Sequence, residues 1–250
     1  MIFTTDADCV VSPEWLSTMA SYFDHDVNAV ASWLLIDKAE TCFQKVEALD
    51  SFSFVLVGAA AIGLNRPVLA NGANFAYRRS EFLKNEGFAG HDAYGSGDDD
   101  LLLQKFTKRA AKCVFVKDSR AAVYTPANTR KRDFFRQRLR WASKTRVYRL
   151  PLQIMEIVVY GLICMLVAGP FLWMGGLLSW LSCLALLSVK FAADYWFVDY
   201  GYRIIYKKVN ICYFLVAQIV QNLYIPVVGL WGTLGQYEWK GRRYHKGKRR

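Results

Sequence analysis

The sequence predicts an α/β domain followed by α-helical transmembrane segments, and three observations predict it. The first half alternates short apolar runs with stretches of helical periodicity, the pattern of strands and helices that pack in layers. The second half holds apolar stretches too long and too uniform for a soluble core. The composition agrees, since 54% apolar residues, 15% aromatics and a mean hydropathy of +0.12 over 250 residues exceed what a soluble domain carries.

Residues 1–5 read as a short strand. Ser12 caps a helix with Pro13 at its first position, and Trp15, Leu16, Met19, Tyr22 and Phe23 recur at helical spacing. Residues 30–36 give the next strand and 39–61 a long helix; Ser80 caps a helix beginning Glu81-Phe82-Leu83, and 100–108 form another. Residues 113–116 and 121–124 read as strands again. This alternation implies a sandwich with a mostly parallel sheet over residues 1–128.

Residues 129–150 form a basic amphipathic segment suited to a membrane surface. Between residues 150 and 189 the only charged group is Glu156, and Gly169-Pro170 divides the run into two spans of about 18 to 20 residues. The expected layout is a transmembrane hairpin over 151–190, a polar connector over 191–210, a third membrane segment over 211–234 and a basic tail over 235–250. Gln218, Gln221, Asn222 and Pro226 interrupt the third segment. Core helices of a large soluble protein are the competing account, but these seldom exceed about 14 uninterrupted apolar residues.

The net charge of +11 is concentrated. Residues 130–149 hold a dense set of Lys and Arg opposed only by Asp133, and residues 240–250 another with no acid. Cations flanking apolar spans point to membrane lipids as partners and to the positive-inside rule, and they remove the need for nucleic acid to explain the basic balance. Three crossings would place the tail on the side opposite the globular half. Either 211–234 re-enters near Pro226, or a further span lies within 190–208. The six cysteines show no CxxC spacing, which argues against zinc and against a disulfide framework. No cleavable signal peptide is expected in these first residues, since Asp6, Asp8 and Glu14 interrupt any apolar h-region.

Four constellations carry chemistry. Thr5-Asp6-Ala7-Asp8 places two carboxylates just past a buried strand, where open α/β sheets bind ligands and a hard cation finds oxygen. On an extended backbone the two would point to opposite sides, and alone such a pair is as well explained by a turn or a cap. Gly95-Ser96-Gly97-Asp98-Asp99-Asp100 delivers three acids to a helix start. Their mutual repulsion raises at least one pKa, as a general base needs, although acids also favour a first helical turn. Gln137-Arg138-Leu139-Arg140-Trp141 offers an amide, two guanidiniums able to grip diphosphate and an indole able to stack on sugar, or else a basic helix lying on lipid. Asn71-Gly72-Ala73-Asn74-Phe75-Ala76-Tyr77-Arg78 is a turn followed by an aromatic-rich strand.

In that order, these motifs ahead of a membrane hairpin resemble the family-two, processive-type inverting glycosyltransferases of the GT-A fold, which include cellulose, hyaluronan and chitin synthases and ceramide glucosyltransferase. SGDDDLLLQK and VYTPANTRKRDFFRQRLRWASK look especially like the bacterial membrane-bound branch. The resemblance covers residues 3–149. It implies a cytosolic catalytic part at a bacterial inner (plasma) membrane, transferring a hexose from a nucleotide-sugar, usually a UDP-sugar, with Mg²⁺ or Mn²⁺. Asp8 would be the metal ligand, with Asp6 supporting it or touching the donor. Asp99 would be the base that deprotonates the acceptor, with Asp98 in place of the family's usual Glu. Gln137, Arg140 and Trp141 match Gln-x-x-Arg-Trp, with Arg138 inside the motif; these would hold the diphosphate and line the acceptor end. Asn74 and Arg78 would lie near the acceptor, a polysaccharide or a lipid. An oligomer would complete the pore if a polymer is made. In the family, nucleotide-recognising strands precede the metal-binding strand, so the chain is expected to be the C-terminal portion of such an enzyme, inactive by itself. The alternative is a non-catalytic membrane-associated module without a working nucleotide site.

Overall fold

The computed structural model describes residues 1–90, 97–108, 111–239, 242–245 and 248–249, in two compact units, Met1–Asp133 and Phe134–Lys248. Gly95 and Ser96 of the glycine-acid motif, and Lys240, Gly241, Lys246, Gly247 and Arg250 of the basic tail, lie outside the described residues. The first unit runs β1 (Ile2–Thr4), β2 (Val10–Val11), α1 (Trp15–Ser21), β3 (Val27–Ser32), β4 (Leu34–Asp37), α2 (Cys42–Gly63), β5 (Phe75–Tyr77), α3 (Arg79–Lys84), α4 (Asp98–Lys108), β6 (Lys112–Val116) and β7 (Val123–Pro126).

Two small sheets form. The first has the order β1-β5-β3-β6, with only β3 and β6 parallel; the second has the order β2-β7-β4. The mostly parallel sheet expected from the alternation is therefore a mixed one. β5 approaches from the edge where β1 ends, with Phe75 opposite Thr4 and Tyr77 opposite Ile2, so it runs back between β1 and β3. β1, β3 and β6 all point toward one edge, and the site residues gather there.

Residues 30–36 are two strands in different sheets. The switch falls at Trp33, which is fully buried, stacks on Phe52 of α2 at 5.5 Å and donates from Nε1 to the Lys117 carbonyl at 3.1 Å. α2 lies across β4 and β6. Its start is fixed by a capping box in which the Thr41 side chain accepts from Gln44 N while the Gln44 side chain accepts from Thr41 N.

Neither serine expected as a cap serves as one. α1 starts at Trp15 after Glu14, and the Ser12 hydroxyl instead donates to the Arg120 carbonyl at 2.7 Å. Ser80 lies inside the first turn of α3, because β5 leads into that helix directly through Arg78.

α5 (Lys131–Ser143) carries the boundary between the units. The second continues as α6 (Leu150–Met174), α7 (Trp180–Ile205), α8 (Ile211–Leu234) and an antiparallel pair, β8 (Gln236–Trp239) with β9 (Arg242–His245). α6 and α8 run antiparallel: the Tyr160 hydroxyl donates to the Pro226 carbonyl at 2.9 Å, and Arg146, just ahead of α6, donates to the Thr233 carbonyl at 3.2 Å. α8 continues through Pro226 as one helix. The polar stretch 191–210 is not a connector, since α7 extends through it to Ile205. Its charges are matched locally, Lys190 with Asp194 at 3.0 Å and Arg203 with Asp199 at 2.7 Å, so the helix need not stop at them.

Among the described residues four helices are long and apolar enough to span a membrane, which marks the chain as membrane-associated. In α6, α7 and α8 only 17, 6 and 28% of the most apolar window is buried, against 44% in α2, where Glu47 and Asp50 are also buried. By that measure α2 is a core helix, whereas the apolar surfaces of the other three are left largely exposed.

Candidate active site

β1 ends at Thr4, whose hydroxyl donates to the Phe75 carbonyl at 2.9 Å, and the chain turns back within a few residues. Cys9 N donates to the Asp6 carbonyl at 3.1 Å and closes a turn over residues 6–9. One ligand atom from each of Asp6, Asp8 and Cys9 lies within 4.8 Å of the others. An extended backbone would have separated the carboxylates; the turn brings them to one side. Both acids are exposed and Cys9 is half-buried. Burial pushes the Cys9 thiol up, helped by the Asp6 and Asp8 charges and opposed by its hydrogen bond with Thr125, so the neutral thiol is favoured in the absence of a cation. Two carboxylates with open space around them make a donor set that suits a hard divalent cation whose remaining ligands come from substrate and water.

The acid triplet meets the same edge. Gly97 has φ +99°, in the left-handed region that favours glycine, and its carbonyl accepts from Leu101 N at 2.7 Å to start α4. The three acids then diverge. Asp98 is exposed, Asp99 half-buried and Asp100 buried. Asp99 Oδ2 accepts from Gly72 N at 2.7 Å and its Oδ1 from Asp100 N at 2.8 Å, while Asp100 Oδ1 accepts from Ala70 N at 2.9 Å. The triplet thus grips the loop of residues 70–72, which leads into β5 opposite the end of β1. Each Asp99 oxygen retains a second lone pair, as a proton acceptor requires.

The two acceptor-side candidates in the first unit have other tasks. Asn74 is fully buried and its amide is saturated: Nδ2 donates to the carbonyls of Trp33 at 2.7 Å and Ala121 at 2.8 Å, and Oδ1 accepts from Trp15 Nε1 at 3.0 Å. It ties α1 and both sheets together and does not reach a ligand. Arg78 follows Tyr77, which pairs with Ile2, so it sits at the sheet edge away from Asp6 and Asp8. There its guanidinium donates to the carbonyls of Val27 at 2.7 Å and Asp24 at 2.6 Å.

A family model described as glycosyl transferase family 21 matches residues 1–249, the span that holds every element and motif described above. The chain belongs to glycosyl transferase family 21. No curated protein matches it at significant similarity. Its activity is therefore transfer of a glycosyl group, with a sugar donor and an acceptor as substrates. Glycosyl transfer is also what the resemblance to family two implied, although the matching model is that of family 21.

In this family 21 glycosyltransferase the Gln137–Trp141 motif lies on α5, in the second unit. Arg138 is only 2% exposed, its guanidinium 4.5 Å from the ring centre of Phe134 and 4.2 Å from that of Trp141, and it donates to Gln137 Oε1 at 2.8 Å. Helical spacing makes this stack, since Phe134, Arg138 and Trp141 fall at i, i+4 and i+7 on one face. Arg138 consequently braces the motif, whereas Arg140 and Trp141 are partly exposed. Ser143, buried at the end of α5, donates to the Arg140 carbonyl at 2.7 Å and hydrogen-bonds the Tyr237 hydroxyl at 3.0 Å, fixing the last turn of α5 to the strand that follows α8.

Two positions of structural consequence belong to none of the expected functional residues. Glu47, 2% exposed on α2, accepts from Asn128 N at 3.0 Å and from its side-chain amide, and so anchors the segment just ahead of α5. Asp100 holds Ala70 in the way described above. Two acids, Glu47 and Asp50, in the otherwise apolar run of α2 are the sequence signal that points there.

Proposed function

We propose that the chain is the catalytic and membrane-embedded part of a glycosyltransferase that moves a sugar from a nucleotide-sugar, a UDP-sugar in kind, to a lipid or polysaccharide acceptor at a bacterial plasma membrane, its catalytic half cytosolic. The observation that carries this reading is the gathering of Asp6, Asp8 and the Asp99-bearing start of α4 at one sheet edge. Asp8, with Asp6 beside it, would hold Mg²⁺ or Mn²⁺, which when bound supplies positive charge to the departing diphosphate. Asp99 accepts the proton of the acceptor hydroxyl as that oxygen attacks the anomeric carbon. The diphosphate leaves from the opposite face, so configuration inverts. By the resemblance to family two, Arg140 on α5 would bind diphosphate oxygens and Trp141 would stack on an acceptor sugar.

The test is release of UDP and transfer by the membrane-bound protein. Asp99→Asn retains an acceptor for Gly72 N but removes the base; it is expected to lower transfer roughly 10²–10⁴-fold while donor binding persists. Asp98→Asn is expected to lower it less than about tenfold, a smaller loss than one for a catalytic base. Asp8→Asn is expected to abolish the divalent-cation dependence of donor binding. Full transfer by Asp99→Asn, or a large loss confined to Asp98→Asn, would remove Asp99 from the role of base. Indifference of donor binding to both Asp8→Asn and chelation would return the chain to the class of non-catalytic membrane modules.

A further inference from the structure

α6 and α8 are each long enough to cross a bilayer, 25 and 24 residues or about 36 Å apiece against a hydrocarbon core of about 30 Å. They are antiparallel, and the levels of their ends are fixed by named contacts. At one end, a Cβ on Gly232 of α8 would stand 2.7 Å from Ala142 Cβ and 2.9 Å from the Leu139 carbonyl of α5. At the same end Arg146 reaches Thr233 and Ser143 reaches Tyr237. The start of α6 and the end of α8 therefore share one level, called proximal below.

Met174 and Ile211 consequently share the distal level, and α7 connects them. It is 26 residues long, about 39 Å, with five residues (175–179) before it and five (206–210) after. A helix that begins and ends at the same level does not cross. Contacts along α7 agree. Cys183 near its start donates to the Gly169 carbonyl near the distal end of α6, and Val209 N, just ahead of α8, donates to Asp199 Oδ1 near its end at 3.1 Å. Between them, Lys190 donates to Gln218 and Asn222, which lie seven and eleven residues, about 10 and 16 Å, from the start of α8. Lys190 can reach that depth from a helix lying in the distal leaflet, because its side chain is long. The outward residues of α7, Trp180, Leu184, Val189, Trp196 and Tyr200, are all more than half exposed and mix the aliphatic and aromatic types found at that depth.

We infer that this chain crosses the membrane twice, through α6 and α8, and that α7 lies lengthwise in the distal leaflet with lipid as the partner of its exposed face. The basic segment 130–149 and the basic tail then stand on one side. Charge supports it: residues 130–149 and 235–250 contain nine and seven Lys and Arg, whereas residues 175–210 contain four against two Asp. The third crossing that would have stranded the tail opposite a cytosolic catalytic half is not made.

The test uses the whole chain in sealed membranes. Single cysteines at Ser179 and Lys208, the native six replaced by Ala or Ser, are probed with a membrane-impermeant maleimide, with labelling in detergent as the control for access. Both are expected to label from the same face, and a cysteine at Glu238 from the opposite one. Labelling of Ser179→Cys and Lys208→Cys from opposite faces would overturn the inference. Because a cysteine-free chain can fail to fold, the native sequence is also given a reporter active only in the cytosol and, separately, one active only outside it, inserted after Gly176, inserted after Asn210 or fused after Arg250. The expected result is the same reporter active after Gly176 and after Asn210, and the other one after Arg250. Opposite reporters after Gly176 and Asn210, or the same one after Asn210 and Arg250, would overturn the two-crossing arrangement whatever the chemistry of the catalytic half, so this failure is distinct from failure of the glycosyltransferase reading.

Discussion

Asn74 shows how a polar residue in a motif can serve the fold instead of the chemistry. Truncating it leaves Trp15 Nε1 and the Ala121 carbonyl without that partner in a place closed to water, while the Trp33 carbonyl keeps its bond from Val123 N at 2.9 Å, and each buried orphan costs about 1–3 kcal/mol. Asn74→Ala should therefore lower stability by roughly 3 kcal/mol or more, read as a fall in thermal midpoint of several degrees, while Arg78→Ala costs less because its partners lie near water. Cys113 gives a second prediction at this scale. Packed against the cluster of Ala29, Phe75, Leu103 and Phe106, its thiol is pushed up to about 12 by burial. The folded value lies above the ordinary one of about 9, so the stability that burial of the neutral thiol provides is intact below pH 9 and is lost as pH rises toward 12. At pH 8.5 iodoacetamide should modify exposed Cys42 and leave Cys113 unmodified until the chain unfolds. The two acid motifs that meet at the candidate edge stood out in the sequence because carboxylates crowded at the end of a strand or the start of a helix repel one another, and a cation or a proton would relieve that repulsion. The separate tasks of Asn74 and Arg78 were not legible, since they depend on which strand end faces which and no local pattern encodes that.

The helices were the most legible elements and their ends the least. α2, α4 and α8 lie close to where apolar periodicity put them, but α6 runs through Gly169-Pro170, where the break was expected, and ends only at Met174, and α7 runs well past Val189 because its charges find partners one turn away. A count of charged residues does not show such pairing. Glycines separate close contacts between elements from open surface. Gly232→Val must force α8 away from α5, because the new side chain meets Ala142 and the Leu139 carbonyl inside van der Waals distance. The expected loss is about 1–3 kcal/mol, seen as a lower denaturation midpoint in detergent. At Gly161 on α6 an added Cβ would meet nothing within 4 Å, so Gly161→Ala should leave that midpoint unchanged or raise it.

At the scale of the molecule, the division into an α/β half and a membrane half followed from composition alone, and the family match spans both. Strand pairing did not follow. Alternation of strand and helix favours parallel neighbours, yet β5 enters between β1 and β3 from the opposite direction because the loop before it ends at their far edge. That arrangement sets Gly72, and through it Asp99, beside the turn of Asp6 and Asp8. The switch at Trp33 has a mechanical consequence. One continuous piece of backbone serves both sheets, with its middle residue wedged between Phe52 and Phe115 and tethered to Lys117. The sheets are therefore joined as a single strut, with one buried indole in place of a linker between them.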